Sequence, residues 1–262
     1  MEEVLLENHS WVEVEKYLKK SNTIIVPIGS IENEGIHLPL GLDTHVAIYL
    51  SKAVSKRSGC MVGPCLSLGY SKWFMNFSGT ISLQHDTLTT LIQEYCNCLY
   101  EHGFKKFIFI NPHRGNGSAI ADVGREIRKK RGIVTMVDIW RVSEQIVKSI
   151  DSMKDLSFSH GGDIMTSVAL AIYPEYVVMQ NVQKTEATPP LSKNILPLDT
   201  VGLSKFKGNS IFTYTYSEEV TNTGSLGDPT NSTKEKGNLL LEKMINFLED
   251  LVKEISSIEG GL

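Results

Sequence analysis

Thr23-Ile-Ile-Val-Pro-Ile-Gly-Ser-Ile-Glu-Asn-Glu-Gly-Ile-His-Leu-Pro-Leu-Gly-Leu-Asp43 runs from an apolar stretch straight into a loop crowded with acids. Thr23 to Ile28 reads as a buried strand that Gly29 ends. Glu32, Glu34, His37 and Asp43 then fall just beyond its carboxyl end, where open α/β sheets place their ligands. Gly29, Gly35, Pro39 and Gly41 shape the segment into a loop held in one conformation, as a coordinating loop must be. Any one of these polar residues, taken singly, is also what an ordinary solvated loop carries. Gathered together, acidic oxygens and an imidazole point to a metal site.

Outward from this stretch, strand-like and helix-like runs alternate. A helical stretch from about Thr44 to Arg57 precedes an extended segment around Cys60 to Leu68. The next helix is capped by Asp86 or Thr87, shows an apolar face at Leu88, Leu91, Ile92, Tyr95 and Leu99, and stops at Gly103. Phe104 to Ile110 is a strand that delivers Asn111-Pro-His-Arg-Gly-Asn116. A helix from about Ser118 to Lys130 and a strand from Ile133 to Ile139 follow. Gly161 to Tyr173 reads as a helix stopped by Pro174, with His160 and Asp163 at its start. Residues 182–216 lack periodicity and read as a surface excursion of the kind that covers a site or meets a neighbouring subunit. Ser232-Thr-Lys-Glu235 is a capping-box pattern opening a long amphipathic helix.

Parallel neighbours need crossover connections, so this order predicts an α/β fold: one three-layer domain over residues 1–262, with a mostly parallel central sheet and helices on both faces. Loops at the strands' carboxyl ends then converge, and Asp43, His113 and the region of Asp138 meet although they are far apart in sequence.

The chain has 262 residues, 41% of them hydrophobic, and a formal charge of -4. Such a balance gives no footprint for nucleic acid, and the basic run Arg125 to Arg131 sits at a helix end, where cations offset the dipole. No apolar run reaches the length of a membrane span and the N-terminus lacks the order of a secretory signal, so a cytoplasmic protein without a membrane partner is expected. Cys60, Cys65, Cys96 and Cys98 are few for this length and read as reduced packing residues.

Glu32, Glu34, Asp43, His113 and Asp163 form the expected ligand set. Four carboxylates and one imidazole exceed what a single catalytic zinc uses, whereas two ions sharing a carboxylate accommodate them all. Burying these acids without cations is prohibitive. A bridging water, acidified by both ions, then attacks a carbonyl carbon, and His160 is the candidate to protonate the departing nitrogen. Trp73, Trp140 and Tyr70 are candidate pocket walls for a flat substrate, or core aromatics.

These residues carry a family resemblance. Gly29 to Asp43 is similar to the signature G-S-x-E-Q-H-G-x-H-L-P-x-x-x-D of the creatininase, or creatinine amidohydrolase, family. Phe77-Ser-Gly-Thr80 resembles its F-P-G-T segment, Asn111 to Asn116 its N-G-H-G-G-N, and His160-Gly-Gly-Asp-Ile-Met-Thr-Ser167 its H-A-G-E-x-E-T-S. Gly224-Ser-Leu-Gly-Asp-Pro229 with Lys236-Gly237 resembles its late G-x-x-G-D-P segment. The resemblance implies a binuclear centre of zinc, manganese or iron that hydrolyses an amide or formamide carbon–nitrogen bond of a small molecule, in a homo-oligomer and often a hexamer. By position it implies Glu32 and His113 on one ion, Asp43 as the bridge, Asp163 on the second ion, and His160 as proton shuttle or carbonyl-polarising group.

Glu34 stands where the family has a histidine ligand and Asp163 where it has the longer Glu. Carboxylate for imidazole hardens the second site toward manganese, iron or magnesium. Arg114 is a second departure: it either holds a substrate carboxylate or phosphate, or neutralises the acids around it. His37 and Trp140 complete the candidate substrate-binding set. The expected function is therefore hydrolysis of a non-peptide amide, cyclic or formamide, other than creatinine itself. Hydrolysis of a small modified peptide or a nucleotide precursor is the enzymatic alternative. A non-catalytic binding or assembly subunit, with Gly115-Asn-Gly117 as an anion loop, is the other.

Overall fold

Ile24, Ile25, Val26 and Ile28 have no exposed surface, which a strand reaches when both faces of its sheet are covered. The computed structural model, describing residues 4–156 and 158–259, shows how that comes about. In chain order the elements are α1 (Trp11–Leu18), β1 (Thr23–Pro27), α2 (Leu42–Ser58), β2 (Met61–Val62), α3 (His85–His102), β3 (Lys106–Asn111), α4 (Gly117–Lys129), β4 (Ile133–Asp138), α5 (Ile139–Lys148), α6 (Asp163–Ile172), β5 (Leu196–Pro197), β6 (Leu203–Phe206), β7 (Asn209–Phe212), α7 (Ser217–Val220) and α8 (Lys234–Ser257).

Four strands form a parallel sheet in the order β2-β1-β3-β4, with Thr23 opposite Lys106 and Pro27 opposite Ile110. Alternate side chains serve opposite cores. Ile25, Ile108 and Val137 join α2, α5, α6 and α8 on one face, while Ile24, Val26, Phe107 and Phe109 join α3 and α4 on the other. This is the expected α/β arrangement with helices on both faces.

Local differences have local causes. β2 is shorter than the expected 60–68 segment because Pro64 has no N–H to give the ladder; pairing resumes only as a bridge between Ile28 and Leu66. β4 ends one residue early, where the Asp138 side chain accepts the Arg141 N–H and caps α5. At α8 the cap is Thr233, which accepts the Lys236 N–H, rather than Ser232. Residues 182–216 are not structureless: β5, β6 and β7 make an antiparallel ribbon separate from the main sheet. The asymmetry that matters for function is that β1 and β3, neighbours in the sheet, both release their loops at the same edge.

Candidate metal centre and active site

The loop after β1 turns inward. Glu32, Asn33, Glu34 and His37 are all buried, and the backbone that carries them is tied down on several sides. Glu32 N–H donates to Leu40 O at 2.9 Å, Asn33 N–H to Thr80 Oγ1 at 3.2 Å, and Asn33 Nδ2 to Thr223 O at 3.3 Å. Gly35 turns the chain between the two parts of the loop at φ +97° with Ser225 pressed against it, so a side chain there meets both strain and a clash.

Asp43 lies in the first turn of α2, where the helix dipole favours an anion. Trp140 Nε1 donates to its Oδ1 at 2.9 Å and Ser30 Oγ to its Oδ2 at 3.1 Å. His113 arrives from the end of β3. Its Nε2 lies 2.8 Å from the Tyr70 carbonyl, which can only accept, so Nε2 carries a proton and Nδ1 is the nitrogen turned to the acids. Nδ1 lies 3.1 Å from Glu32 Oε1 and 3.4 Å from Asp43 Oδ2, donating to them when protonated and free to ligate an ion when not. Orientation of an imidazole by a backbone carbonyl is the usual arrangement behind a metal-ligating nitrogen. Gly115 keeps the loop close: a Cβ there would stand 2.5 Å from His113 Nε2.

A second group adjoins the first. His160 Nε2 lies 2.7 Å from the Asn33 carbonyl and 3.3 Å from Glu34 Oε2, and Phe74 stacks on the ring at 4.7 Å. The Asn33 carbonyl holds a proton on Nε2, the nitrogen that also faces Glu34. Glu32, Asp43 and His113 on one hand, and Glu32, Glu34 and His160 on the other, each bring ligand atoms within 4.8 Å of one another. Glu32 is common to both.

The electrostatics show what is missing from this cluster. Neither oxygen of Glu34 has a hydrogen-bond partner, nor has Glu32 Oε2. Burial, then Asp43, then Glu32 push the Glu34 carboxyl well above the usual carboxylate range. For His113 burial is the largest influence and opposes the imidazolium, yet Glu32 and Asp43 together outweigh it and hold the group well above an ordinary imidazole value. Desolvated carboxylates without donors cost several kcal/mol, and hard cations remove that cost. The donor set fits divalent ions.

A cavity of about 400 Å³ opens onto this cluster. Its walls include Trp73, Phe74, Trp140, Phe158 and Met165, and Leu198 to Leu203 of the ribbon close one side. Trp73 stacks on His113 with ring centroids 6.3 Å apart, and Trp140 on Phe158 at 6.1 Å.

Residues 7–252 match the family described as creatinine amidohydrolase. The chain belongs to the creatininase family. Creatinine amidohydrolase of Pseudomonas putida is 26% identical to it, with 94% of each chain covered. The mycofactocin precursor peptide peptidase of Mycobacterium ulcerans is 27% identical over 91% of this chain and 86% of its own. The 3-dehydro-scyllo-inosose hydrolase of Thermotoga maritima is 24% identical over 93% and 80%. Two solved creatininase structures, a manganese form and a zinc–zinc form of a variant, superpose with TM-scores of 0.79 and 0.78 at 24% identity, each covering 98% of this chain and 100% of its own. At that identity the likeness establishes the fold.

Set against the creatininase signatures, Glu32, Glu34, Asp43, His113 and His160 converge, and Trp140 and Arg114 line the cavity. Two of the expected residues lie outside these groups. Asp163 does not join either ligand group: its Oδ1 accepts from Ser167 Oγ at 2.8 Å and its Oδ2 from Lys236 Nζ at 2.7 Å. A one-methylene-shorter acid paired with an ammonium has its charge balanced there. His37 is also diverted; its Nε2 meets Thr166 Oγ1 at 2.9 Å, where burial lowers its pKa, so it fastens the loop to α6 instead of facing the cavity. Phe74, Phe158 and Asp199 were not among the candidate residues. Phe74 has no signal beyond following Trp73, a candidate pocket wall; Asp199 has none, being one acid in an aperiodic stretch.

Proposed function

We propose that this chain is a single-domain, metal-dependent hydrolase that cleaves an amide carbon–nitrogen bond of a small molecule, a cyclic amide or formamide in preference to creatinine itself. The observation that carries the reading is Glu34, a fully buried carboxylate whose oxygens accept no hydrogen bond and whose nearest imidazole nitrogen is His160 Nε2 at 3.3 Å, beside two other acids. Glu32, Asp43 and His113 would hold one ion and Glu32 with Glu34 the other, zinc, manganese or iron being the candidates. When bound, divalent ions of this kind acidify water toward neutral pH and polarise a carbonyl oxygen.

The chain's own residues supply the rest. His160, held at the Asn33 carbonyl beside Glu34, is placed to take a proton from the attacking water and return it to the leaving nitrogen. Phe74, stacked on that ring, limits its rotation. Trp73, Trp140 and Phe158 present flat apolar walls that suit a planar substrate and exclude bulk water.

The Asp163–Lys236 pair favours a second reading, in which the fold and one ion persist without turnover, as in a binding or assembly subunit. Elemental analysis of reconstituted protein separates the two. About two ions per chain, with hydrolysis of at least one cyclic amide or formamide and loss of that activity in His160→Ala, is the expected result; a chain that takes up no zinc, manganese or iron, or turns over creatinine as well as any other amide, contradicts the proposal. Cleavage of small peptides alone would select the peptidase alternative.

A further inference from the structure

The cavity is lopsided in charge. Arg114 is the one lysine or arginine among the described residues that line it, against Asp138, Glu144 and Asp199 near its mouth. Asp138 caps α5. Asp199 meets Arg114, Oδ2 to NH1, at 3.1 Å.

That contact is a poor one for both partners. The other oxygen of Asp199 accepts the backbone N–H of Val201 at 2.9 Å and of Leu203 at 2.8 Å, so only one oxygen reaches the guanidinium. The Arg114 side chain, for its part, stays 57% exposed. A guanidinium holds a carboxylate best through two parallel N–H···O bonds, and Asp199 cannot supply the second without breaking the two bonds that shape its own turn. A carboxylate carried by a small molecule has both oxygens free.

We propose that Arg114 recognises a carboxylate on molecules entering the cavity, and that Asp199 occupies the guanidinium until such a ligand displaces it. The inference rests on the hydrolase reading and adds a charge to its substrate: an amide that also bears a carboxylate, as an N-formylated amino acid does. Arg114 directly follows His113, so a ligand anchored by its carboxylate is placed beside the candidate metal centre. Displacing Asp199 also releases the ribbon wall from the His113 loop, and the ribbon has no strand pairing to the parallel sheet to compensate. Arg114 and Asp199 are thus a specificity-determining pair.

The test uses the cavity's own tryptophans. Trp11 is 73% exposed while Trp73 and Trp140 line the cavity, so in a Trp11→Phe background the emission reports on the pocket. N-acetylglycinate and its uncharged counterpart N-acetylglycinamide are titrated against the full chain, metal-loaded and chelated. The acid is expected to bind at least about tenfold more tightly than the neutral ligand, the equivalent of one charge-assisted hydrogen bond. Arg114→Gln should bring the acid down to the neutral ligand's affinity, and Arg114→Lys should fall between. Asp199→Asn, which removes the competitor, should tighten the acid several-fold and raise acrylamide quenching. No detectable binding of the acid, equal binding of the two ligands, or acid affinity unchanged or weakened in Asp199→Asn overturns the proposal. Neither titration reads turnover, so a chain that hydrolyses no amide can still pass, and a proven hydrolase that fails loses this inference alone.

Discussion

A carboxylate with no exposed surface and no hydrogen bond is a liability unless a cation joins it, and Glu34 stands in that position. Glu34→Gln removes the buried ionisable group, and with it the cost of keeping it protonated, at nearly constant shape. Metal-free protein carrying it should therefore melt higher than metal-free wild type, by at least about 2 °C for a chain of this size, and take up about one ion fewer; a lower melting temperature would count against Glu34 as an unpaired acid. The same physics fixes a pH dependence. In chelated protein Glu34 and His113 both have folded-state pKa values above their ordinary ones, so the folded chain keeps protons that the unfolded chain has already released. The unfolded state then binds fewer protons, and these two groups' contribution to stability is intact below the ordinary values and drains away as pH rises through the shifted ones. Ions that replace the protons abolish the loss. The gap in melting temperature between metal-loaded and chelated protein should accordingly widen from about pH 5.5 to about pH 8.5, and scanning calorimetry showing a narrowing gap would refute it.

The pairing of α6 with α8 carries a separate expectation. Asp163 in the first turn of α6 and Lys236 in the first turn of α8 form a largely buried ion pair. Lys236→Met leaves the acid buried without its cation and should cost about 3 kcal/mol in urea unfolding, whereas the double variant Asp163→Asn, Lys236→Met should recover most of it. Asp163→Asn alone should leave the metal count unchanged, and a lost ion would restore Asp163 to the ligand set. Helix starts and stops of this kind were only partly legible in the sequence. Gly103 ends α3 as expected, because a left-handed C-cap leaves a mark that one residue type supplies. α5 was missed because Asp138, its cap, directly ends a strand, so that apolar Ile139 read as a continuation of that strand. The ribbon was missed for a different reason: β5, β6 and β7 are mostly exposed, and strands without a buried face show no alternation to detect. In the site, Glu32, Asp43 and His113 were legible because each ends or follows a buried strand or opens a helix. The partners of Asp163 and Asp199 were not, since an ion pair across 73 positions leaves no local pattern.

At the scale of the whole molecule, the candidate centre draws on three separated stretches: the loop after β1 with the start of α2, the loop after β3, and the segment before α6. Only the sheet order β2-β1-β3-β4, which makes β1 and β3 neighbours, brings the first two together; the Asn33 carbonyl then recruits the third through His160. Ions held by acids from such distant segments act as cross-links, and a site populated about a hundredfold above its dissociation constant adds about 2.7 kcal/mol to folding. That stabilisation should be local in its dynamics even though it is global in its thermodynamics. Loading with zinc or manganese should slow amide hydrogen exchange in residues 29–43, 111–117 and 159–163 while leaving most of α8, whose buried face packs on α2, α5 and α6, close to its metal-free rate under native conditions. Uniform protection along the chain would mean that the ions tighten the fold from some other place, and protection confined to one of the three stretches would mean that the carboxylates and imidazoles do not share a centre.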